Sequence, residues 1–197
     1  MARELTKEEI QKVLELIKTK RHGSRDKAIL LLCLYAGLTM KEVVNISISQ
    51  VLSSVGDVME EVELGTDHTT TGKQRHVYLN KKVRKAIHEY LCDRFNTSDL
   101  LPLLVTDTKR PLFTTQKSIN RGFSANTLAG HFYELMEEAG IEQASSFSLR
   151  KSFAYLITSK VLSPRFMELI VNEDDRYAIA RSIESNPLTL RKVVDLI

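Results

Sequence analysis

Phe147-Ser148-Leu149-Arg150-Lys151-Ser152-Phe153-Ala154 is the stretch on which the reading of this chain turns. Leu149 and Phe153 stand four residues apart, the spacing that stacks apolar side chains on one face of a helix, and Arg150 follows directly beside that face. A segment of this kind belongs in a buried helix and puts a guanidinium on its flank. By itself it fits many helices, so its meaning depends on what precedes it.

Three earlier blocks appear in a fixed order. Ser24-Arg25-Asp26-Lys27-Ala28 opens an apolar run that ends in Gly37-Leu38-Thr39-Met40-Lys41-Glu42-Val43. Thr71-Gly72-Lys73-Gln74-Arg75-His76-Val77-Tyr78-Leu79 pairs a polar turn with alternating apolar residues, and Phe123 to Ile141, ending Glu137-Glu138-Ala139-Gly140-Ile141, leads towards Arg150. With the final stretch, these blocks resemble in sequence and order the catalytic domain of the tyrosine recombinases, the phage integrase family. The resemblance runs from about residue 5 to about residue 171 and fades beyond Val171.

It implies a mainly α fold with a small antiparallel β-sheet (α+β), the catalytic-domain fold of DNA breaking-rejoining enzymes. It also implies a single domain over 1–197 that lacks the N-terminal DNA-clamping domain of many members. The family's chemistry is attack by a tyrosine on a phosphodiester, giving a 3′-phosphotyrosyl enzyme. Two arginines grip the phosphate oxygens, a hairpin lysine protonates the leaving oxygen, and histidine-type residues assist. A planar guanidinium suits that grip because its fork matches two phosphate oxygens and keeps its proton.

Carried over position by position, the first arginine falls on Thr39, the lysine on Lys73, the histidine on Phe147 and the second arginine on Arg150. Lys73 and Arg150 are retained. An ungapped count to the nucleophile lands near Ser182, and Tyr177, the tyrosine of that region, is the candidate if the intervening loop is shorter. Tyr177 reads equally as a core aromatic. Asn172-Glu173-Asp174-Asp175 stand where the family has a glycine-histidine turn, and their carboxylates repel phosphate. Losing one preorganised transition-state donor slows a reaction by about two to three orders of magnitude, so the two substitutions at Thr39 and Phe147 leave little strand cleavage.

The resulting expectation is a double-stranded DNA-binding protein of the family, catalytically inactive and serving as a regulator or accessory factor. The alternative is an active site-specific recombinase using Tyr177, with Lys73 and Arg150, in a rearranged site. Lys73, Arg75, Lys117, Arg121, His131, Arg150 and Lys151 are the candidate DNA contacts, most of them to the phosphate backbone. His131 on a helix reads equally as a structural polar group. Ser145, Ser146 and Ser148 lack a Gly-x-Ser-x-Gly turn or partners at hydrolase spacing.

Composition agrees with that picture. The net charge of +3 does not announce a nucleic-acid binder, but Lys73, Arg75, Lys81, Lys82, Arg84 and Lys85 fall between His68 and His88 with no acidic residue among them. Such a local run attracts phosphate, or is a solvated helix face. The two cysteines, Cys33 and Cys92, lack metal-ligand spacing and suit a reduced compartment; no metal or other cofactor is expected. The longest apolar run, Ala28 to Leu38, is too short to span a bilayer, and the start of the chain has no signal-type apolar region. The expected location is the cytoplasm, on the nucleoid when bound to DNA.

Helix ends are legible throughout. Thr6 with Glu9 and Thr39 with Glu42 have capping-box spacing. Gly37 stops the apolar run. Val58 to Leu64 and Val77 to Leu79 read as strands, and helices are expected over Lys81–Phe95, Ala125–Ala139, Leu149–Lys160, Pro164–Val171 and Asp174–Ile183. Asn96 to Arg121 is expected to be the least ordered part. Leu190, Val193, Val194 and Ile197 share one side of a last segment, which either packs into the core or docks on a second copy to form a homo-oligomer on DNA.

Overall fold

The all-apolar run is the centre of the molecule. A computed structural model describes residues 3–69, 72–106, 110–115, 121–162 and 173–197, and in it helix α2, Gly23–Tyr35, is buried from Arg25 to Leu34 with the exception of Lys27. A helix apolar on all sides must be wrapped on all sides. Around it pack α1 (Lys7–Lys18), α5 (Lys81–Phe95) and α8 (Ser146–Val161).

Local signals account for where these helices start. The Thr6 hydroxyl accepts the Glu9 N–H at 3.2 Å while the Glu9 carboxylate accepts the Thr6 N–H at 2.9 Å. Thr39 and Glu42 repeat the device at α3, Met40–Asn45. Asn80 caps α5 by accepting the Val83 N–H and also donates to the Val194 carbonyl, which ties the last helix to the first turn of α5. Helix α7, Ala125–Glu138, begins behind Ser124.

A short α4, Ile48–Val51, leads to the hairpin. Strands β1 (Glu61–Leu64) and β2 (Arg75–Tyr78) pair antiparallel, with Val62 opposite Val77 and Leu64 opposite Arg75. Val58, expected inside the first strand, instead makes an isolated bridge with Leu52.

Two further differences from expectation have simple causes. Helix α8 starts at Ser146 rather than Leu149, because the Ser145 hydroxyl accepts the Phe147 N–H and the Ser148 hydroxyl accepts the Ser145 N–H, a reciprocal cap built from serines alone. The span Asn96 to Arg121 is anchored where it is described: Leu100, Leu103, Leu112 and Phe113 are buried, α6 covers Leu103–Thr106, and Phe113 stacks on Tyr90 at 5.2 Å. Apolar residues spread among turn formers hold this span down without forming a periodic pattern. The helix expected over Pro164–Val171 lies outside the described residues.

Helices α9 (Glu173–Glu184) and α10 (Pro187–Val194) close the chain. Leu190, Val193, Val194 and Ile197, with Ala180 and Ile183, pack on Phe153, Ala154, Ile157 and Tyr78 of the same chain. The core reading of this segment therefore holds within one chain, while Leu188 and Leu196 stay exposed. Among the described residues no helix is long and apolar enough to cross a membrane.

Candidate nucleic-acid interface

Four elements meet at the carbonyl of Gly37. Gly37 has φ of +67°, and a Cβ there would lie 2.3 Å from Phe153 Cε1 and 2.5 Å from Arg150 Nη1, so the turn between α2 and α3 lies directly against α8. Its carbonyl accepts from Arg150 Nη1 at 2.6 Å and from Arg75 Nη2 at 3.1 Å. Two guanidiniums, one from α8 and one from β2, thus converge on one backbone oxygen.

Each also holds a carboxylate. Arg75 makes two parallel bonds to Glu42, Nε to Oε1 and Nη2 to Oε2, both 2.9 Å. Burial pushes the Glu42 carboxyl up, but the Arg75 hydrogen bonds and charge, with the Thr39 cap, outweigh it and hold the group below the ordinary carboxylate range. Arg150 Nη2 reaches both oxygens of Glu184, at 2.7 and 2.6 Å, and Glu184 Oε2 lies 4.0 Å from Arg75 Nη1. The Arg150 guanidinium also rides 5.3 Å from the Phe153 ring centroid.

The other positions singled out in the sequence have separate surroundings. Thr39 caps α3: its hydroxyl accepts the Glu42 N–H at 3.3 Å and donates to Glu42 Oε2 at 2.9 Å. Phe147 is 73% exposed on the first turn of α8, not a core residue. Lys73 is exposed in the hairpin turn, where its carbonyl accepts the Thr69 hydroxyl. Lys151 is half-buried and Arg121 exposed. Position 177 lies in α9 two turns before Glu184; the Tyr177 side chain and the whole of Lys117 lie outside the described residues.

His131 belongs to a second cluster. Its Nε2 lies 2.9 Å from Asp26 Oδ2, and Arg25 Nε donates to Asp26 Oδ1 at 2.8 Å, with Arg25 and Asp26 both buried in α2. Burial raises the Asp26 carboxyl, but the His131 hydrogen bond and the Arg25 charge bring it below its ordinary value. A cleft of about 740 Å³ lined by Arg25, Thr115, Arg121, Phe123, His131 and Glu134 opens beside this cluster.

The basic run from Lys73 to Lys85 is paired in part, Arg75 with Glu42 as above. Arg84 pairs with Glu60 at 3.1 Å, Lys85 with Glu89 at 3.8 Å, and Lys82 donates to the Ile197 carbonyl at 2.7 Å. Sequence reasoning missed Glu42 as the partner of Arg75, Asp26 as the partner of His131, and Glu184. A glutamate at the last position of a helix was a readable signal for Glu184, since a negative charge there opposes the helix dipole and calls for a cation nearby.

Residues 3–172 match the phage integrase family. The chain belongs to that family. The XerA recombinase structure superposes with a TM-score of 0.64 at 21% identity, over 98% of this chain and 62% of that one. The integrase of mycobacterium phage Brujita gives 0.59 at 14% identity, over 99% and 57%. XerH recombinase, solved bound to its difH substrate in a pre-cleavage complex, gives 0.56 at 18% identity, over 88% and 48%. This member of the phage integrase family therefore spans about half to three-fifths of the length of these neighbours, and identities this low establish the shared fold. No curated protein sequence matches the chain.

Proposed function

We propose that this phage integrase family member binds duplex DNA and has lost strand cleavage, serving as a regulator or accessory factor at its DNA site. The observation that carries the second half is the role of Thr39. At the position where the family resemblance places the first phosphate-gripping arginine, the side chain is a neutral hydroxyl engaged in capping α3. A hydroxyl cannot replace a guanidinium as a charge clamp, and Phe147 offers no proton or hydrogen bond at the histidine position.

DNA binding needs less than catalysis does. Phosphate contacts supply affinity by releasing condensed counterions, with no transition state to stabilise. XerH and the Tn1549 integrase, both solved on DNA, support extending that role to this chain. Arg150, Lys73, Arg121 and Lys151 are the proposed backbone contacts, joined by Lys117, and Arg75 and His131 support the surface through Glu42 and Asp26. Contact between copies on DNA would use Leu188 and Leu196, the apolar side chains that α10 and the residues after it leave exposed.

A native-gel titration with duplex from the protein's own locus, run beside a denaturing gel of a nicked suicide substrate, tests this. The expected result is a salt-sensitive shift, weakened by Arg150→Ala, with no covalent adduct. An adduct abolished by Tyr177→Phe would overturn the loss of cleavage and assign the nucleophile; no shift at low salt would overturn the DNA reading.

A further inference from the structure

We propose that Glu184 is an internal stand-in for a DNA phosphate, a latch that keeps Arg150 occupied until the end of α9 moves away. This rests on reading Arg150 as a phosphate anchor and adds how that anchor is regulated.

The geometry is that of an occupied anion site. Arg150 is held in orientation by the Gly37 carbonyl and the Phe153 ring, and its free edge takes both oxygens of one carboxylate. Both oxygens sit on Nη2 alone, with Nη1 on the Gly37 carbonyl, so the carboxylate fills the one open corner of the guanidinium, where the charged oxygens of a phosphodiester could be held in its place. Glu184 is 14% exposed and Arg150 25%, so the pair lies in a recess rather than at an open surface. Arg75 Nη1, 4.0 Å from the same carboxylate, adds a second positive charge to that recess.

The latch is also poised to leave. Glu184 is the last residue of α9, where a negative charge is disfavoured by the helix dipole, so the arginine holds it there against a local preference. Only Ser185 and Asn186 separate it from α10. The pair α9 and α10 packs on its own small apolar cluster around Phe153 and Ile157, distinct from the larger core around α2. A shift of the end of α9 would expose Arg150 while leaving that larger core intact. Duplex DNA, whose backbone supplies a dense row of phosphates, is the occupant that would compete.

The test compares wild type with Glu184→Gln, which keeps the shape and removes the charge, in two titrations of the full chain. With duplex DNA, Glu184→Gln is expected to bind about tenfold tighter, within the span of ordinary coupling between linked sites. The slope of log affinity on log salt should steepen by about one, as one more phosphate contact releases its counterion. With inorganic phosphate followed by thermal melting, the variant alone should be stabilised, and Glu184→Gln combined with Arg150→Ala should lose both gains. If Glu184→Gln does not fold, Glu184→Asp, which retracts the carboxylate by one methylene, should give a smaller gain in the same direction. Equal affinity, slope and phosphate response for wild type and a folded variant would overturn the latch. Phosphate stabilisation confined to the variant, with no duplex binding by either protein, would uphold the latch and reject DNA as its competitor.

Discussion

Gly37→Ala should be among the most damaging single-methyl additions in this protein, for two separable reasons. The residue sits at φ of +67°, a left-handed conformation that costs a non-glycine residue roughly 1–2 kcal/mol. The added Cβ would also lie 2.3 and 2.5 Å from Phe153 ring carbons and 2.5 Å from Arg150 Nη1, so α8 and the α2–α3 turn must part. Overpacking of this kind typically costs about 1–3 kcal/mol. Together these predict a loss of about 3 kcal/mol, which for a chain of this size lowers Tm by roughly 10 °C. Gly140→Ala is the matched control: its φ is +71°, but nothing lies within 4 Å of the added Cβ, so only the backbone part should appear. Thermal and urea unfolding of the two variants, with duplex affinity measured on the folded fraction, separates the contributions. A Gly37→Ala protein as stable as Gly140→Ala would refute the close approach of Arg150 and Phe153 to this turn, and with it the geometry of the proposed anion site.

Other outcomes follow from the same contacts. Thr39→Ala should cost about 1 kcal/mol through loss of the α3 cap, measurable by urea unfolding, whereas a neutral effect would mean the capping box is idle. Thr39→Arg should lose that cap too and yield no covalent adduct on a nicked duplex while Phe147 remains; an adduct from this single change would show that position 39 alone disables cleavage. Asp26→Ala should cost about 3–5 kcal/mol, because it leaves the buried Arg25 without a counter-charge, and a loss below about 1 kcal/mol in urea unfolding would reject that role. Acid should destabilise the fold: Glu9, held by Arg3 and the α1 cap at about 2, and the lowered Glu42 and Asp26 are all easier to ionise folded than unfolded. Their contribution is therefore complete above the unfolded carboxylate range, near 4.5, and for Glu9 is lost as pH falls towards about 2. Tm should fall through that window, and a Tm that rises on acidification would reverse the sign.

How far the sequence carries depends on how far apart the interacting groups are. Both expected capping boxes form, α5 spans Lys81–Phe95 as its pattern predicts, and the apolar run of α2 is the buried centre, because these outcomes rest on contacts within one or two turns. Boundaries set by weaker local chemistry, such as the serine cap that starts α8 three residues early, were less legible. Phe147 stands mostly in solvent because it lies two residues, about 200° of helix turn, from the buried Leu149.

What the chain order alone could determine was the family and the fold class, since motifs and their order are properties of sequence. The partners of the charged residues were decided only in three dimensions. Arg150 meets Glu184 across 34 positions, Asp26 meets His131 across 105, and Arg75 meets Glu42 across 33, none at a helical or strand period. A charge's availability depends on which opposite charge the folded chain brings within hydrogen-bonding distance. That is why the basic run looked open in sequence while Arg75, Arg84 and Lys85 stand paired in the fold and Arg150 already holds a carboxylate.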